Sequence, residues 1–123
     1  MGEQNNWDSI ALTQQEDFME DLHEIFTIFR NDFSEINQGH EALGKLIHDK
    51  GGPLPAKTRW LIKVAISGGG GHMRALETHI AKAREAGATE DEIKHTLLLL
   101  IQTVGFPAFM EAYSTYSTES RLI

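Results

Sequence analysis

The chain has 123 residues, 41% of them hydrophobic and 24% charged, as expected for one globular domain. Its 11 Lys and Arg residues against 18 Asp and Glu give a net charge of −7, which argues against binding to nucleic acid or to an anionic membrane. The absence of cysteine excludes disulfides, thiolate catalysis and cysteine-based metal sites.

The N-terminal residues 1–12 are mainly polar, and we expect them to form an arm ahead of a single domain over 13–123. This segment lacks the basic and apolar regions of a signal peptide. No apolar run approaches the ~18 residues of a membrane span. We therefore expect a cytoplasmic protein that binds neither membranes nor nucleic acid.

Two amphipathic helices are predicted in the first half of the chain. Thr13 and Glu16 form a capping-box pattern that opens the first helix, which should end near Asn31. Its apolar stripe consists of Phe18, Leu22, Ile25, Phe26 and Phe29. The second helix is predicted over about 34–49, because the glycines and prolines of 50–55 must end it.

A third helix should begin at Pro55 and run to about Ser67, since proline is favoured in the first helical turn. Four glycines, 68–71, follow, and no Lys-Ser/Thr pair or preceding strand supports a phosphate-binding loop. We interpret them as a flexible or tightly turned connector. The alternative is that exposed amides around Gly71 bind an anion at the start of the next helix.

The fourth predicted helix carries two histidines on one side. His72 and His79 are seven residues apart, almost two helical turns, which places both on roughly one face. Gly87 is predicted to end this helix in a left-handed conformation. Thr89 and Glu92 then form a capping box that opens the next helix.

The fifth predicted helix, over about 90–104, is apolar almost all round. We expect it to be buried on every side, by the fold or by another subunit. His95 lies among its leucines, and a histidine buried there would need a polar partner. A last helix should begin at Pro107. Because no segment shows β alternation, the predicted fold class is all-α, with about six helices.

Five segments occur in an order and spacing that point to a known family. They are Lys57-Thr58-Arg59-x-Leu61-Ile62, His79, Ala86-Gly87-Ala88-Thr89-x-x-Glu92-Ile93, Gly105-Phe106-Pro107-Ala108 and Glu111-Ala112. In these segments, over about residues 40–116, the chain resembles the carboxymuconolactone decarboxylase family of the alkylhydroperoxidase D-like superfamily. The resemblance implies a helical bundle that assembles as a homotrimer or homohexamer, with sites near the subunit interfaces.

The peroxidase branch of that superfamily uses a Cys-x-x-Cys-x-x-x-His motif, with a glutamate twelve residues before the first cysteine. Aligned on His79, these two cysteines and the glutamate correspond here to His72, Ala75 and Trp60. Neither an attacking thiolate nor a disulfide can form, so thiol peroxidase chemistry is excluded.

The decarboxylase branch has no cysteine requirement, and the resemblance to it implies a cofactor-independent lyase acting on a small carboxylated lactone or a related acid. It favours His79 as the general acid, because an imidazole titrates near neutral pH. His72 and His95 are possible partners. In the family a glutamate commonly stands where this chain has His95, which leaves the substrate open.

A chain of net charge −7 needs local positive charge to bind an anionic substrate. The predicted substrate-binding set combines cations, a backbone amide, an aromatic ring and a carboxylate: Arg59, Lys63, Arg74, Gly71, Phe106 and Glu111. Lys82 is a further candidate cation. The rings of Trp60, Phe106 and Phe109 could line a pocket, but we expect them in the core. No cofactor and no metal is predicted.

Two other functions remain open on the sequence alone. Three histidines with Glu77 or Glu111 could bind zinc or a similar cation, although a His-x6-His spacing is not a standard local metal motif. A non-catalytic oligomer could instead bind a small ligand in the same cleft, since both cysteine positions and the glutamate position are replaced.

Overall fold

A computed structural model describes residues 24–120, which divide into two compact units between Pro53 and Leu54. The predicted arm and the Thr13–Glu16 capping box lie outside the described residues. No strand occurs within 24–120, which confirms the all-α prediction. Over the same range, no helix combines the length and apolar character needed to cross a membrane.

The first unit contains helix α1, described over 24–32, and helix α2, Ser34–Lys50. The C-terminal ends of α1 and α2 agree with the predicted ends near Asn31 and at about residue 49. The amide of Gly51 closes α2 by donating to Ile47 O at 3.1 Å. Helix α2 has no buried residue. More than half of each apolar side chain on it is exposed: Ile36, Leu43, Leu46 and Ile47. In a single chain, these apolar side chains of α2 are therefore largely exposed.

The second unit packs five helices around one core. In chain order they are α3 (Ala56–Gly69), α4 (Met73–Glu85), α5 (Glu90–Leu98), α6 (Leu100–Thr103) and α7 (Phe106–Ser120). The fully buried large side chains come from three of these helices: Val64, Leu76, Ile80, Ile93 and Leu97. Helix α7 adds Phe109, Ala112 and Tyr116. The prediction of one domain over 13–123 stays a prediction.

The four-glycine segment makes a tight turn between α3 and α4. Gly68 and Gly69 are still helical, and only Gly71 has a left-handed backbone, with φ of 76°. The amide of Gly71 donates to Gly68 O at 3.3 Å, and the amide of His72 donates to Ser67 O at 2.9 Å. This bond pair is the Schellman pattern that closes a helix and satisfies its last carbonyls. The interpretation as a tight connector fits this geometry.

Gly68 marks the closest approach between α3 and the rest of the unit. A methyl group on it would lie 3.1 Å from Leu100 Cδ1 and 3.3 Å from Ala112 Cβ. Because those distances are shorter than ordinary carbon–carbon contact, glycine lets α3 pack against α6 and α7 at short range. This packing fixes the C-terminal end of α3.

The α4–α5 junction follows the sequence prediction. Gly87 has φ of 98° and ends the α4 segment in a left-handed turn. The predicted capping box is present, with the amide of Glu92 donating to Thr89 Oγ1 at 3.1 Å and the amide of Thr89 donating to Glu92 Oε1 at 2.9 Å. Lys57 Nζ lies 3.0 Å from Glu92 Oε2, which joins α3 to the start of α5.

The prediction of one helix over 90–104 is wrong, because α5 and α6 are separated at Leu99. The fold also buries only one side of this segment. Ile93, Leu97 and Leu100 face the core, whereas Leu98 is 51% and Leu99 61% exposed. Residues 93, 97 and 100 recur with helical spacing, and the intervening leucines fall on the opposite face. Burial of that face by another subunit stays a prediction.

An ion-pair network that the sequence analysis did not predict joins α4, α5 and α7. Arg84 donates from Nε and Nη2 to the two carboxylate oxygens of Glu90, each at 2.8 Å. Its Nη1 lies 2.6 Å from both oxygens of Glu119. The hydroxyl of Tyr116 donates to Glu90 Oε1 at 2.7 Å, and Arg84 Nη2 donates to Ser120 Oγ at 3.1 Å. We call these five residues the arginine clasp.

We predict that Arg84→Met destabilises the protein by roughly 2–3 kcal/mol, between the values for exposed and fully buried ion pairs. Only 18% of the Arg84 side chain and 12% of the Glu119 side chain are exposed, so loss of the guanidinium leaves a poorly solvated carboxylate. Chemical denaturation measures the effect. Lys82→Met is the matched control, because its ion pair with Glu85 is exposed; equal destabilisation by both variants would contradict the prediction.

The clasp also predicts a dependence of stability on pH. Hydrogen bonding from Arg84 holds the pKa of Glu90 below its ordinary value, against the effect of burial. A lowered folded-state pKa contributes stability above the unfolded value of about 4.3, and this contribution is lost as the pH falls through the folded-state pKa.

We therefore expect Glu90→Gln to melt below the wild-type protein at neutral pH, and the difference in Tm to shrink as the solution is acidified below about pH 4. Thermal unfolding followed by circular dichroism from neutral to acid pH measures this difference. A Tm difference that stays constant across the range would show that the charge of Glu90 is not involved.

Candidate functional site

One face of α3 carries the side chains that meet the predicted catalytic histidine. Trp60, Lys63 and Ser67 are spaced three and four residues apart, so they lie along one side of the helix. Helix α4 turns back at Gly71 and packs against α3, which brings His79 to this face. The site is therefore built from two consecutive helices and the turn between them.

His79 is half-buried and is held through its Nδ1 atom. Nδ1 lies 2.5 Å from Ser67 Oγ and 3.2 Å from the backbone oxygen of Lys63. Ser67 Oγ in turn donates to Lys63 O at 2.8 Å. Ser67 is only 4% exposed, so this set of bonds is shielded from water. Its short contacts fix the position of the imidazole ring on α4.

The other side of the cluster is aromatic and cationic. The Trp60 and His79 rings are 5.8 Å apart between centroids and inclined at 46°. Lys63 Nζ lies 4.5 Å from the centre of the Trp60 ring, within the range of a cation–π interaction. Burial lowers the pKa of Lys63 below its ordinary value. An imidazole, an indole and an ammonium group thus follow one another along the α3–α4 contact.

The two other predicted catalytic histidines are exposed. His72 is the N-cap residue of α4, and its ring packs over the turn, because a methyl group on Gly70 would lie 2.9 Å from His72 Cδ2. The fold of a single chain does not bury His95, and its burial by another subunit stays a prediction. His95 lies two residues from Ile93 and two residues from Leu97, which are both buried. A step of two residues is roughly half a turn of the helix, so His95 faces away from the core.

The predicted substrate-binding residues are spread over three helices and one turn. Arg59 Nη1 donates to Leu54 O at 2.5 Å, at the start of α3. Arg74 is exposed in the first turn of α4, and Glu111 is exposed on α7. The Gly71 amide already donates to Gly68 O, so an anion at this turn would need the next amides of α4.

The expected burial of the three aromatic rings is only partly confirmed. Phe109 is 8% exposed and belongs to the core, and Trp60 is half-buried. The prediction is wrong for Phe106, which is 56% exposed. Phe106 begins α7 next to Gly105 and lies off the face that carries Phe109 and Ala112. Its ring still contacts Phe109, with centroids 6.0 Å apart.

The zinc alternative requires several ligands close together. Within residues 24–120, no group of three or more His, Asp or Glu side chains is arranged to hold a metal ion. His79 instead uses Nδ1 for contacts with Ser67 and Lys63 O. The described residues of one chain therefore give that alternative no ligand set.

Ser67 is the site residue that the sequence analysis missed. The sequence indicates Ser67 only as the end of α3, because the glycines after it are typical of a helix terminus. The available signal was its spacing from Trp60 and Lys63, which places a small polar residue on the face that carries the other two. Its contact with His79 depends on the turn between the helices, which the sequence did not specify.

We predict that Trp60 fluorescence reports the protonation of His79. In a Trp7→Phe background, emission should fall as the pH is lowered through the titration of His79, because an imidazolium next to an indole alters its excited state. His79→Gln should abolish this step, whereas His95→Gln should retain it. An unchanged titration curve in His79→Gln would contradict the contact between the two rings.

A family model named "Carboxymuconolactone decarboxylase family" matches residues 37–115, which is more than half of the chain. Comparison with curated proteins and with solved structures gives no match. The matched range contains all of α3 to α6, and therefore Trp60, Lys63, Ser67 and His79. The resemblance noted from the sequence segments is confirmed, and the chain belongs to the carboxymuconolactone decarboxylase family.

Proposed function

We propose that this protein is a cofactor-independent carboxy-lyase that decarboxylates a small carboxylated lactone or a related acid, with His79 as the general acid. The observation that carries the proposal is the fixed imidazole: Nδ1 of His79 lies 2.5 Å from buried Ser67, and its ring packs beside Trp60. Membership of the family supports the reaction class.

The reaction needs little from the protein beyond binding, charge stabilisation and one proton. The bond from the γ-carbon to the carboxylate breaks, and its electron pair moves into the conjugated lactone, whose carbonyl oxygen takes up the negative charge. Carbon dioxide leaves, and the imidazolium of His79 gives its proton to carbon. Solvent then reprotonates the neutral imidazole. No redox step occurs, so no electron acceptor is required.

Lys63 is the group best suited to attract the anionic substrate toward His79. Its ammonium lies over Trp60, and Trp60 contacts the His79 ring, so positive charge and proton donor are separated by one aromatic side chain. The indole also limits the access of water to the departing carboxylate, and a poorly solvated carboxylate loses carbon dioxide more readily. Arg59 lies one turn before Lys63 on the same helix and can extend the positive surface.

The assembly is part of this proposal. Helix α2 has no buried residue, and exposed Leu98, Leu99 and Phe106 form further apolar surface on the second unit. Such surface favours burial against another copy of the chain, in line with a homotrimer or homohexamer. We also propose a cytoplasmic location.

The test is turnover of 4-carboxymuconolactone by the purified full chain, followed by ultraviolet absorbance and by release of carbon dioxide. We expect His79→Gln to lower kcat by about 100- to 10,000-fold, the usual contribution of a general acid. His40→Gln is the matched control, because this histidine is exposed on α2 and is not among the predicted site residues. His72→Gln and His95→Gln test the two other predicted catalytic residues.

Light scattering shows whether each variant keeps the wild-type assembly. Wild-type turnover that survives in His79→Gln would remove His79 as the acid. An assembled wild-type protein that does not turn over the lactone would remove this substrate. In that case, binding of the lactone measured by calorimetry would favour the alternative of a non-catalytic ligand-binding protein.

A further inference from the structure

We propose that Ser67 is a positioning residue that holds neutral His79 in the tautomer protonated at Nδ1. The proton that the His79 imidazolium gives to carbon in the proposed reaction is then the one on Nε2. The inference rests on the proposed function for its catalytic consequence. The tautomer itself follows from the contacts among Ser67, His79 and the backbone oxygen of Lys63.

The number of available protons decides the tautomer. Lys63 O can only accept a hydrogen bond, and it lies 2.8 Å from Ser67 Oγ and 3.2 Å from His79 Nδ1. Ser67 has one hydroxyl proton. If it is donated to Lys63 O, the 2.5 Å contact between Ser67 Oγ and His79 Nδ1 must be made by a proton on Nδ1.

The opposite arrangement is unfavourable. If Ser67 donated its proton to an unprotonated Nδ1, no proton would be left for Lys63 O. Ser67 Oγ and His79 Nδ1 would then each face this carbonyl oxygen as one acceptor facing another. Such close contacts between acceptors are repulsive, and they would be made around a side chain that is only 4% exposed. The arrangement with Nδ1–H leaves no such conflict and puts the titrating nitrogen at Nε2.

Ser67 is itself held at both ends. Its hydroxyl bonds the carbonyl four residues earlier in α3, and its own backbone oxygen accepts the amide of His72 across the turn. The next residue, Gly68, packs closely against Leu100 and Ala112. The hydroxyl therefore has a fixed place relative to α4, and the His79 ring is oriented by backbone and core rather than by a flexible side chain.

The tautomer of His79 decides which ring nitrogen presents the proton in catalysis. A general acid must present its proton from one defined atom, and control of the tautomer fixes which nitrogen that is. In metal sites, residues that orient a ligating histidine through its second nitrogen contribute about 10- to 100-fold to metal affinity or activity. By analogy, we expect Ser67→Ala to lower kcat by about 10- to 100-fold, with a smaller effect on KM, because a side chain that is only 4% exposed offers little surface to a substrate.

The direct test is the tautomer of His79 in the full-length protein labelled with ¹⁵N. Two-bond proton–nitrogen spectra, recorded above the pH at which the ring titrates, distinguish a protonated from an unprotonated ring nitrogen. His79→Gln assigns the signals. We expect the wild-type ring to be protonated at Nδ1, and Ser67→Ala to shift the population toward the Nε2–H form that free histidine prefers.

Two further variants sharpen this test. Thr78→Ala is the matched control, because Thr78 Oγ1 makes the same kind of bond to the carbonyl four residues earlier, at 3.3 Å, next to His79 in the chain. It should leave the tautomer unchanged. Ser67→Thr keeps a hydroxyl able to bond Lys63 O and should restore the Nδ1–H form in part.

An Nε2–H tautomer in the wild-type protein would overturn the inference, even if no Ser67 variant folds. So would a folded Ser67→Ala protein that keeps the Nδ1–H form completely. The tautomer and turnover are independent readouts. A protein with the expected tautomer and no lactone turnover would contradict the lyase proposal alone, whereas turnover with the other tautomer would contradict the role of Ser67 alone.

Discussion

The close packing of α3 against α6 and α7 at Gly68 is the constraint on which the second unit depends. With only a hydrogen atom on this residue, Leu100 and Ala112 approach the backbone of α3 directly. Glycine in a helix costs about 1 kcal/mol relative to alanine, and contact with the core offsets that cost. The adjacent Ser67 is also buried, so the residue that contacts His79 lies directly beside this close packing contact.

Much of the helical pattern could be predicted because its signals are local. The capping box at Thr89 and Glu92 and the left-handed Gly87 each depend on a few adjacent residues, and both are confirmed. The fifth helix was predicted incorrectly because a run of leucines indicates an apolar segment but not which of its members the neighbouring helices cover. Only packing decides that Leu97 is buried while Leu98 and Leu99 are exposed.

The site was predictable in its central residue but not in what surrounds it. His79 could be identified from the family resemblance, and its place on α4 from helical spacing. Ser67 could not, because its role depends on the angle at which two helices pack. The arginine clasp was missed for the same reason, since Arg84 and Glu119 lie 35 residues apart and no local pattern relates them. Sequence periodicity indicates which face of a helix is apolar, but it does not indicate which distant residues that helix contacts in the fold.

The short turn at Gly71 has a consequence for the order in which the protein folds. His79 and Ser67 are 12 residues apart, so closing the loop between them costs little chain entropy. The clasp must instead close a segment of 35 residues and needs α7 in place. We therefore expect the α3–α4 hairpin, with its histidine already oriented, to form early, and the clasp to close late. Damage to the clasp would then mainly speed unfolding, while the chemistry of the hairpin is preserved in the molecules that remain folded.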